Sequence, residues 1–154
     1  MIRVINGDLM NAKEDIIAHQ SNCKGVIDSD IANQLNDKYE NFYKYYSEFC
    51  EEKCLGRCQL IKVNNNRHIK YIANLFGQDN YGKYKQYTEY DKLRNALIEL
   101  KEFAKLKNLS IALPYKIGCQ TAGGDWDIVY TMLENIFLDY DITLYRLWFI
   151  REAI

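Results

Sequence analysis

The segment IALPYKIGCQTAGGDW, residues 111–126, joins an apolar run to the only proline of the chain and then to a cluster of glycines. The apolar run is typical of a buried strand, and the residues from Asp125 onward have the pattern of a helix. Gly118, Gly123 and Gly124 lie between them, within seven residues. Glycine permits left-handed backbone and close approach, but it costs conformational entropy on folding. The segment predicts a strand, a loop and a helix, and either a tight turn or contact with a ligand explains its glycines.

Strand and helix patterns also alternate in the rest of the chain. Six short runs rich in β-branched and aromatic residues predict strands: RVIN, DIIAHQS, CQLIKVN, IKYIANLF, LSIALPY and ITLYRLWF. Three amphipathic patterns predict helices: from about 29 to 52, from Thr88 onward, and from Asp125 to about Tyr140. In the second, the Thr88 hydroxyl is expected to cap the amide of Asp91. This order predicts an α/β sandwich with a mostly parallel or mixed sheet and helices on both faces.

The spacing of apolar residues predicts which side of each helix faces the core. The expected inward residues are Ile31, Leu35, Tyr39, Phe42, Tyr46 and Phe49 in the first helix, Leu93, Leu97, Leu100 and Ala104 in the second, and Ile128, Met132, Leu133, Ile136 and Phe137 in the third.

Length and composition are those of a globular protein. A chain of 154 residues fits a single domain, residues 1–154, and its 48% hydrophobic and 27% charged residues are ordinary. The net charge of -1 gives no broad attraction for nucleic acid or anionic membranes, so a bound anion must be held locally. The N-terminus is too short and polar for a signal peptide, and no run is long enough for a membrane span. We therefore expect a cytoplasmic protein that makes no membrane contact.

The five cysteines allow two interpretations. An odd number in a chain without export features favours reduced thiols. Cys50, Cys54 and Cys58 recur every four residues, so zinc binding with His68 is one alternative, but no paired C-x2-C motif supports it. Packing of cysteine as a small hydrophobe is the other, and no metal or cofactor is expected.

Two loops are placed where α/β proteins bind ligands, beyond the carboxyl ends of strands. Loop 1, HQSNCKGVIDSD, covers residues 19–30, and loop 2 covers residues 115–125. Both lead into helix N-termini, where free amides and the helix dipole favour anions such as phosphate. Cys23 and Cys119 lie in these loops, as reactive thiols or as packed ones.

Four motifs in this order, INGDLM, IIAHQSNCKGV, IANLFGQDNY and ALPYKIGCQTAGGDW, resemble those of the macro domain family. The resemblance covers nearly the whole chain and is strongest to a compact bacterial and phage-like group related to ADP-ribose 1″-phosphate processing enzymes. It implies a three-layer α/β/α fold with a six-stranded mixed sheet and an ADP-ribose cleft. Members of the family bind ADP-ribose, remove it from macromolecules or hydrolyse ADP-ribose 1″-phosphate.

The resemblance also implies roles for individual residues. Asp8 would accept a hydrogen bond from the adenine amino group beside the Leu9 amide, and Asn22 would position the distal ribose. His19 and Asp125 are the candidates for acid or base, although a core histidine and a helix cap are their structural interpretations. The other expected ligand-binding residues are Gly25, Val26, Ile27, Ser29, Pro114, Gly118, Cys119, Gln120, Thr121, Ala122 and Gly123. Phe76 and Tyr81 are expected near the cleft, and Trp126 in the core.

The sequence departs from the family pattern in both loops. Loop 1 has Asp28 and Asp30 where small residues are usual, and a carboxylate about 5 Å from a phosphate would cost on the order of 3 kcal/mol. Side chains that face solvent or cap the first helix would avoid most of that cost. Loop 2 has Gln120 where glycine is usual, which alters the backbone conformations available to it. Where one deglycosylating subgroup of the family has the lysine that forms a covalent intermediate, this chain reads NLFGQ. Activated water is therefore the simpler proposal.

Three hypotheses of function follow. The first is binding of ADP-ribose with hydrolysis of a derivative, either ADP-ribose 1″-phosphate or an ADP-ribosylated macromolecule. The second is a binding module without catalysis, or one with a different nucleotide-like ligand. The third is nucleic-acid binding through NFYKYYSEF and NYGKYKQYTEY, where tyrosines alternate with lysines, although the acidic residues between them weaken it.

Overall fold

The computed structural model describes residues 1–65 and 68–147, which form six strands, four α-helices and one 3-10 turn. The strands are β1 Ile2–Asn6, β2 Ile16–Asn22, β3 Cys58–Asn65, β4 His68–Gln78, β5 Ile111–Pro114 and β6 Ile142–Arg146. The helices are α1 Asp30–Lys38, α2 Phe42–Cys50, α3 Tyr90–Lys107 and α4 Trp126–Ile136, and the 3-10 turn is Leu9–Asn11.

All six strands belong to one sheet with the order β1-β6-β5-β2-β4-β3. The first five strands of that order run parallel to one another, and only β3 is antiparallel, paired with β4. The prediction of an α/β sandwich with a six-stranded mixed sheet is confirmed. The end of the sixth predicted strand, at Trp148 and Phe149, lies outside the described residues.

Helices cover both faces of the sheet, which gives three layers. Ile16 and Ile17 are both fully buried, and because successive strand residues point to opposite faces they belong to two different cores. The core on one face contains Leu97 of α3 and Leu133 of α4, and the other contains Leu35 of α1. Burial of each such side chain contributes roughly 1.5–3 kcal/mol. None of the described helices is long and apolar enough to span a membrane.

The single helix predicted from 29 to 52 is wrong, because the segment forms two helices. Asn41, between α1 and α2, has a φ of 67°, a left-handed conformation that ends helical hydrogen bonding. The predicted inward stripe survives the break, since Leu35, Tyr39, Phe42 and Tyr46 are all buried. Periodicity therefore identified the buried side but not the interruption.

Three further details of the helices differ from expectation. The second helix begins at Tyr90 and not at Thr88, and Glu89 is its cap residue. The third ends at Ile136, before the expected Tyr140. Ile128 is 46% exposed, because the neighbouring Val129 takes the buried position. The predicted inward residues of α3 are all buried.

Candidate functional site

The carboxyl ends of the five parallel strands lie along one edge of the sheet. Asp8 follows β1, Arg146 ends β6, Pro114 ends β5 and Asn22 ends β2. β2 and β5 are neighbours, so loops 1 and 2 leave the sheet side by side. β1 is three strands away from β2, a separation of roughly 14 Å at the usual strand spacing. A single ligand that contacts both Asp8 and Asn22 must therefore be elongated.

Asp8 caps the 3-10 turn that follows β1. Its Oδ1 accepts a hydrogen bond from the Met10 amide at 2.9 Å, and its own carbonyl accepts one from the Asn11 amide. Within the described residues the Leu9 amide has no hydrogen-bond partner, although Leu9 itself is buried. The carboxylate therefore has a structural partner on one oxygen and keeps the other for further contacts.

Asn22 is only 3% exposed, and the hydrogen bonds of its side chain hold loop 1 together. Its Nδ2 donates to Val26 O at 2.9 Å and to Asp28 Oδ1 at 3.2 Å, which uses both amide hydrogens. Its Oδ1 accepts from the Lys24 amide at 2.9 Å and from the Tyr46 hydroxyl at 3.0 Å. A ligand that accepts a hydrogen bond from the Asn22 amide must replace Val26 O or Asp28 Oδ1, and of these two residues Asp28 is exposed while Val26 is partly buried.

The Asp28 carboxylate thus lies against the residue expected to hold the distal ribose. Asp28 is an exposed residue, yet partial burial of its carboxylate raises the pKa of that group. The hydrogen bond from Asn22 opposes this rise. Asp30 is exposed in the first turn of α1, where the helix dipole stabilises a negative charge. Ser29 is the cap of α1 and accepts from the Ala32 amide at 3.1 Å.

The other predicted residues of loop 1 have local roles. Gly25 has a φ of 71°, a conformation that favours glycine. Ile27 is partly buried and packs against the cores on the α1 and α2 side of the sheet. Val26 offers its carbonyl to Asn22, so the loop folds around that side chain.

His19 is a buried member of a hydrogen-bonded chain and not a group in contact with solvent. Gln59 Nε2 donates to Tyr45 O at 2.9 Å, and Asn74 Nδ2 donates to Gln59 Oε1 at 3.0 Å. Asn74 Oδ1 is thereby left to accept from His19 Nε2 at 2.5 Å, which defines the neutral tautomer with its proton on Nε2. Burial lowers the pKa of His19 to about 4. The core histidine is the interpretation that this geometry supports, and the acid or base role stays a prediction.

The three glycines of loop 2 are explained by the shape of the loop itself. Gly118 and Gly123 both have a φ of 75°. A Cβ atom on Gly124 would lie 2.6 Å from Gly118 O, where the Gly124 amide closes the loop with a 2.9 Å hydrogen bond. The turn interpretation therefore accounts for all three, and any contact with a ligand is additional.

Only part of the predicted row of donors in loop 2 is free to bind a ligand. The Cys119 and Gly123 amides donate within the loop, to Lys116 O at 2.9 Å and Gln120 O at 3.1 Å. Among the described residues, the amides of Gly118, Thr121 and Ala122 have no such partner. The Gln120 side chain is exposed, and so is that of Thr121.

Asp125 caps α4, as its structural interpretation predicts. Its side chain accepts from the Asp127 amide at 2.9 Å, and its own amide donates to the Tyr90 hydroxyl. Trp126 packs edge-on between Tyr115 and Tyr130, in line with a core role.

Two aromatic residues expected near the cleft lie in different environments. Phe76 is fully buried and stacks on Tyr46 and Phe49, so its expected place at the border of the cleft is wrong. Tyr81 is 38% exposed on the segment after β4.

Sequence reasoning missed Arg146, a cation on this edge at the end of β6. Its guanidinium lies 5.0 Å from the centre of the Tyr115 ring, and its Nε donates to Asn6 Oδ1 at 3.2 Å. Both contacts hold the charge between the ends of β1 and β5. The only signal in the sequence was its position in the sixth strand pattern, which shows no partner.

The cysteines group differently from the zinc hypothesis. Cys58 packs on the α3 face of the sheet, while Cys50 and Cys54 lie with Cys23 beside α2. Within the described residues no group of three or more histidine, cysteine or acidic side chains is placed to hold a metal, and the His68 side chain is outside them. Burial raises the pKa of Cys50 to about 12 and that of Cys119 to about 11. These thiols are therefore weak nucleophiles.

The tyrosine-rich segments are divided between core and surface. In the first, Phe42 and Tyr46 are buried, whereas Tyr43 and Tyr45 are 48% and 45% exposed. In the second, Tyr84 is 97% exposed. Helix packing therefore explains the buried aromatic residues of the first segment, and it does not explain the exposed tyrosines of either segment.

Two cavities help to locate the site. One of about 170 Å³ lies at the amino-terminal ends of the strands, lined by Arg3, Glu14, Ser110 and Asp141 among others. A cavity of about 10 Å³ lies under loop 1, lined by His19, Ser21, Asn22 and Asp28 among others. We place the candidate site at the edge with the smaller cavity, because loops 1 and 2 leave neighbouring strands there and lead into the N-termini of α1 and α4.

Known proteins resemble this chain in sequence and in structure, although no protein-family model matches it. ADP-ribose 1″-phosphate phosphatase of Debaryomyces hansenii is 32% identical over 121 residues, which are 66% of this chain and 67% of that protein. An uncharacterized 17.5 kDa protein of bacteriophage T4 is 28% identical over 94% of this chain and 95% of its own length. The macrodomain of Mycobacterium tuberculosis DarG is 24% identical, with a TM-score of 0.80 and coverage of 95% and 97%.

The fold and the edge define an α/β/α protein with its candidate ligand site at the carboxyl ends of a mostly parallel sheet. The sequence relatives narrow this class of protein to one family. The chain belongs to the macro domain family.

Proposed function

We propose that this protein binds ADP-ribose or a close derivative along the edge from Asp8 to loop 2. Its similarity to the D. hansenii phosphatase is the observation that carries the proposal. The geometry is compatible with it, because the distance between the ends of β1 and β2 requires an elongated ligand. In this arrangement Asp8 accepts from the adenine, and Arg146 and the free amides of loop 2 face the diphosphate.

Hydrolysis of a derivative at the distal ribose is the second part of the proposal. In the phosphate ester, water would attack phosphorus and the bond to the ribose oxygen would break, which gives ADP-ribose and phosphate. Asp28 is the carboxylate in contact with Asn22, and its raised pKa suits a general base better than that of a fully solvated carboxylate. His19 and Asp125 are less suited, because one is buried and the other caps a helix.

Binding without catalysis is the alternative, and one observation favours it. All three residues first considered catalytic, Asn22, His19 and Asp125, are engaged in structural hydrogen bonds. This alternative predicts saturable ADP-ribose binding and no product.

Calorimetric titration with ADP-ribose, with ADP as the comparison ligand, tests the first part. Micromolar binding that favours ADP-ribose would support the site, and no binding at millimolar ligand would refute it. Phosphate release from ADP-ribose 1″-phosphate and release of ADP-ribose from a modified protein then test the second part.

Variants separate the role of Asn22 in chemistry from its role in the loop. Asn22→Ala should abolish turnover, while Tyr46→Phe removes only the hydroxyl that bonds to Asn22 and should retain most of it. Unchanged turnover in Asn22→Ala would refute the proposed role, and equal loss in both variants would assign Asn22 to loop structure alone.

A further inference from the structure

Three polar side chains link β2, β4 and the segment before α3 to loop 2. Gln20 Nε2 donates to Gln78 Oε1 at 2.7 Å and to Thr88 Oγ1 at 2.9 Å. The Thr88 hydroxyl donates to Gly118 O at 2.7 Å, and Gln78 Nε2 donates to Asn80 O at 2.8 Å. We call Gln78, Gln20 and Thr88 the relay.

The direction of every hydrogen bond in the relay follows from its two ends. Asn80 O is a backbone acceptor, so Gln78 must present its amide nitrogen there and its oxygen to Gln20. Gln20 must then present its nitrogen to both neighbours, and Thr88 accepts from it. The single hydroxyl hydrogen of Thr88 is left for Gly118 O.

Thr88 holds loop 2 at two points. Its hydroxyl bonds to Gly118 O, which also accepts from the Gly124 amide at 2.9 Å, so both lone pairs of that carbonyl are used. The Thr88 amide donates to Ala122 O at 3.1 Å. The free amides of Thr121 and Ala122 therefore lie between two anchors on one residue, and the free amide of Gly118 lies directly before the first anchor.

Two residues of the relay are buried and the third, Gln20, is partly buried, so loss of a hydrogen bond in the relay is costly. Thr88 is 2% exposed and Gln78 is 7% exposed. A buried carbonyl that loses a partner keeps its desolvation cost, and this cost exceeds the net value of an average hydrogen bond. Thr88 was expected to cap the second helix, but α3 begins two residues later and Glu89 is its cap residue.

We propose that Thr88 is a positioning residue for loop 2, with Gln20 setting the direction of its hydroxyl. Thr88 does not touch the ligand and acts through the Gly118 carbonyl. The inference rests on the proposed function, because it takes loop 2 to contact the diphosphate and distal ribose.

Three variants test the relay by calorimetry with ADP-ribose and with adenosine. Thr88→Val keeps the shape but removes the hydroxyl, and should weaken ADP-ribose binding about tenfold. Adenosine, which does not reach loop 2, should bind all three variants and the wild type alike. Thr88→Ser restores the hydroxyl and should bind within about twofold of wild type. Thr143→Val is the matched control, since Thr143 is also buried and its hydroxyl has no partner among the described residues.

Hydrogen exchange gives a readout that needs no ligand. In Thr88→Val the Gly124 amide should exchange about tenfold faster than in wild type, because its acceptor, Gly118 O, loses the hydrogen bond from the Thr88 hydroxyl that holds it in place. Amides of α4 should exchange at the wild-type rate.

The outcomes separate the two proposals. Failure of wild type to bind ADP-ribose would refute the proposed function alone, and exchange at Gly124 would still report on the relay. Wild-type affinity in folded Thr88→Val, failure of serine to restore it, equal loss in Thr143→Val, or unchanged exchange at Gly124 would each overturn the relay.

Discussion

Asn22 and His19 lie three residues apart on β2, and the same strand gives them different chemical environments. Asn22 reaches the end of the sheet, where its amide organises a loop around itself. His19 is enclosed between the sheet and α2, 6.2 Å from the centre of the Phe42 ring. Both residues are only 3% exposed, so their positions along β2 and their hydrogen-bond partners, and not their degree of burial, distinguish them.

Protonation of His19 should destabilise the protein in mild acid. Its folded pKa is lowered from 6.5 to about 4, so between these values the unfolded chain binds more protons than the folded one. The stability is complete above pH 6.5 and falls by about 3 kcal/mol as the pH approaches 4. Urea unfolding of wild type and His19→Gln at several pH values measures this, and parallel profiles for both proteins would contradict it.

Asp28 should make the affinity for ADP-ribose fall as the pH rises, whereas His19 makes the stability of the fold rise with pH. As the pH rises through its raised pKa the carboxylate becomes charged and repels a diphosphate, so affinity for ADP-ribose should fall. Exposure limits this effect to about threefold, well below the hundredfold that an unscreened pair would give.

Asp28→Asn should remove that pH dependence and bind ADP-ribose more tightly while losing turnover. The control is Asp30→Asn, a change at an exposed carboxylate in the first turn of α1. Weaker binding by Asp28→Asn would contradict the proposed repulsion.

At the scale of elements, the break between α1 and α2 is the main departure from the amphipathic pattern. Both helices place apolar residues against the same side of the sheet, so the pattern reads as continuous across the break. Only the backbone of Asn41 reveals it.

Asn41 should be sensitive to substitution because of its left-handed conformation. Asn41→Ala is expected to cost about 1 kcal/mol of unfolding free energy, and Asn41→Gly to be nearly neutral. Asn33→Ala, at an exposed position within α1, should change stability by a few tenths of a kcal/mol at most. Equal values for Asn41→Ala and Asn33→Ala in urea unfolding would show that the turn bears no strain.

At the scale of the whole molecule, the candidate site depends on the order of the strands. Residues from both ends of the sequence meet because β6 inserts between β1 and β5, which brings Arg146 beside Asn6. Each contribution to the edge comes from a different strand, so no single element contains the site.

A ligand held across several strands should stabilise the entire fold. ADP-ribose at a hundred times its Kd is expected to raise the unfolding free energy by about 2.7 kcal/mol. ADP at the same concentration should give a smaller rise, because it lacks the distal ribose. Thermal unfolding with each ligand measures the difference, and equal shifts would argue against contact at the distal ribose.

The sequence by itself determined the strands, the amphipathic faces and the family of this protein. Apolar periodicity depends on local backbone geometry, and four motifs in order carry a resemblance that one motif cannot. The buried faces of α1 to α3 followed from that periodicity, since Leu35 and Leu97 repeat with their neighbours at helical spacing.

Tertiary structure alone decided the partners of the polar groups. Nothing in the spacing of residues pairs Thr88 with Gly118, Asp28 with Asn22 or His19 with Asn74. Hydrogen bonds are short and directional, so they depend on distances between strands and loops that only the folded chain brings together. For this reason a threonine expected to cap a helix bonds instead to a carbonyl of loop 2.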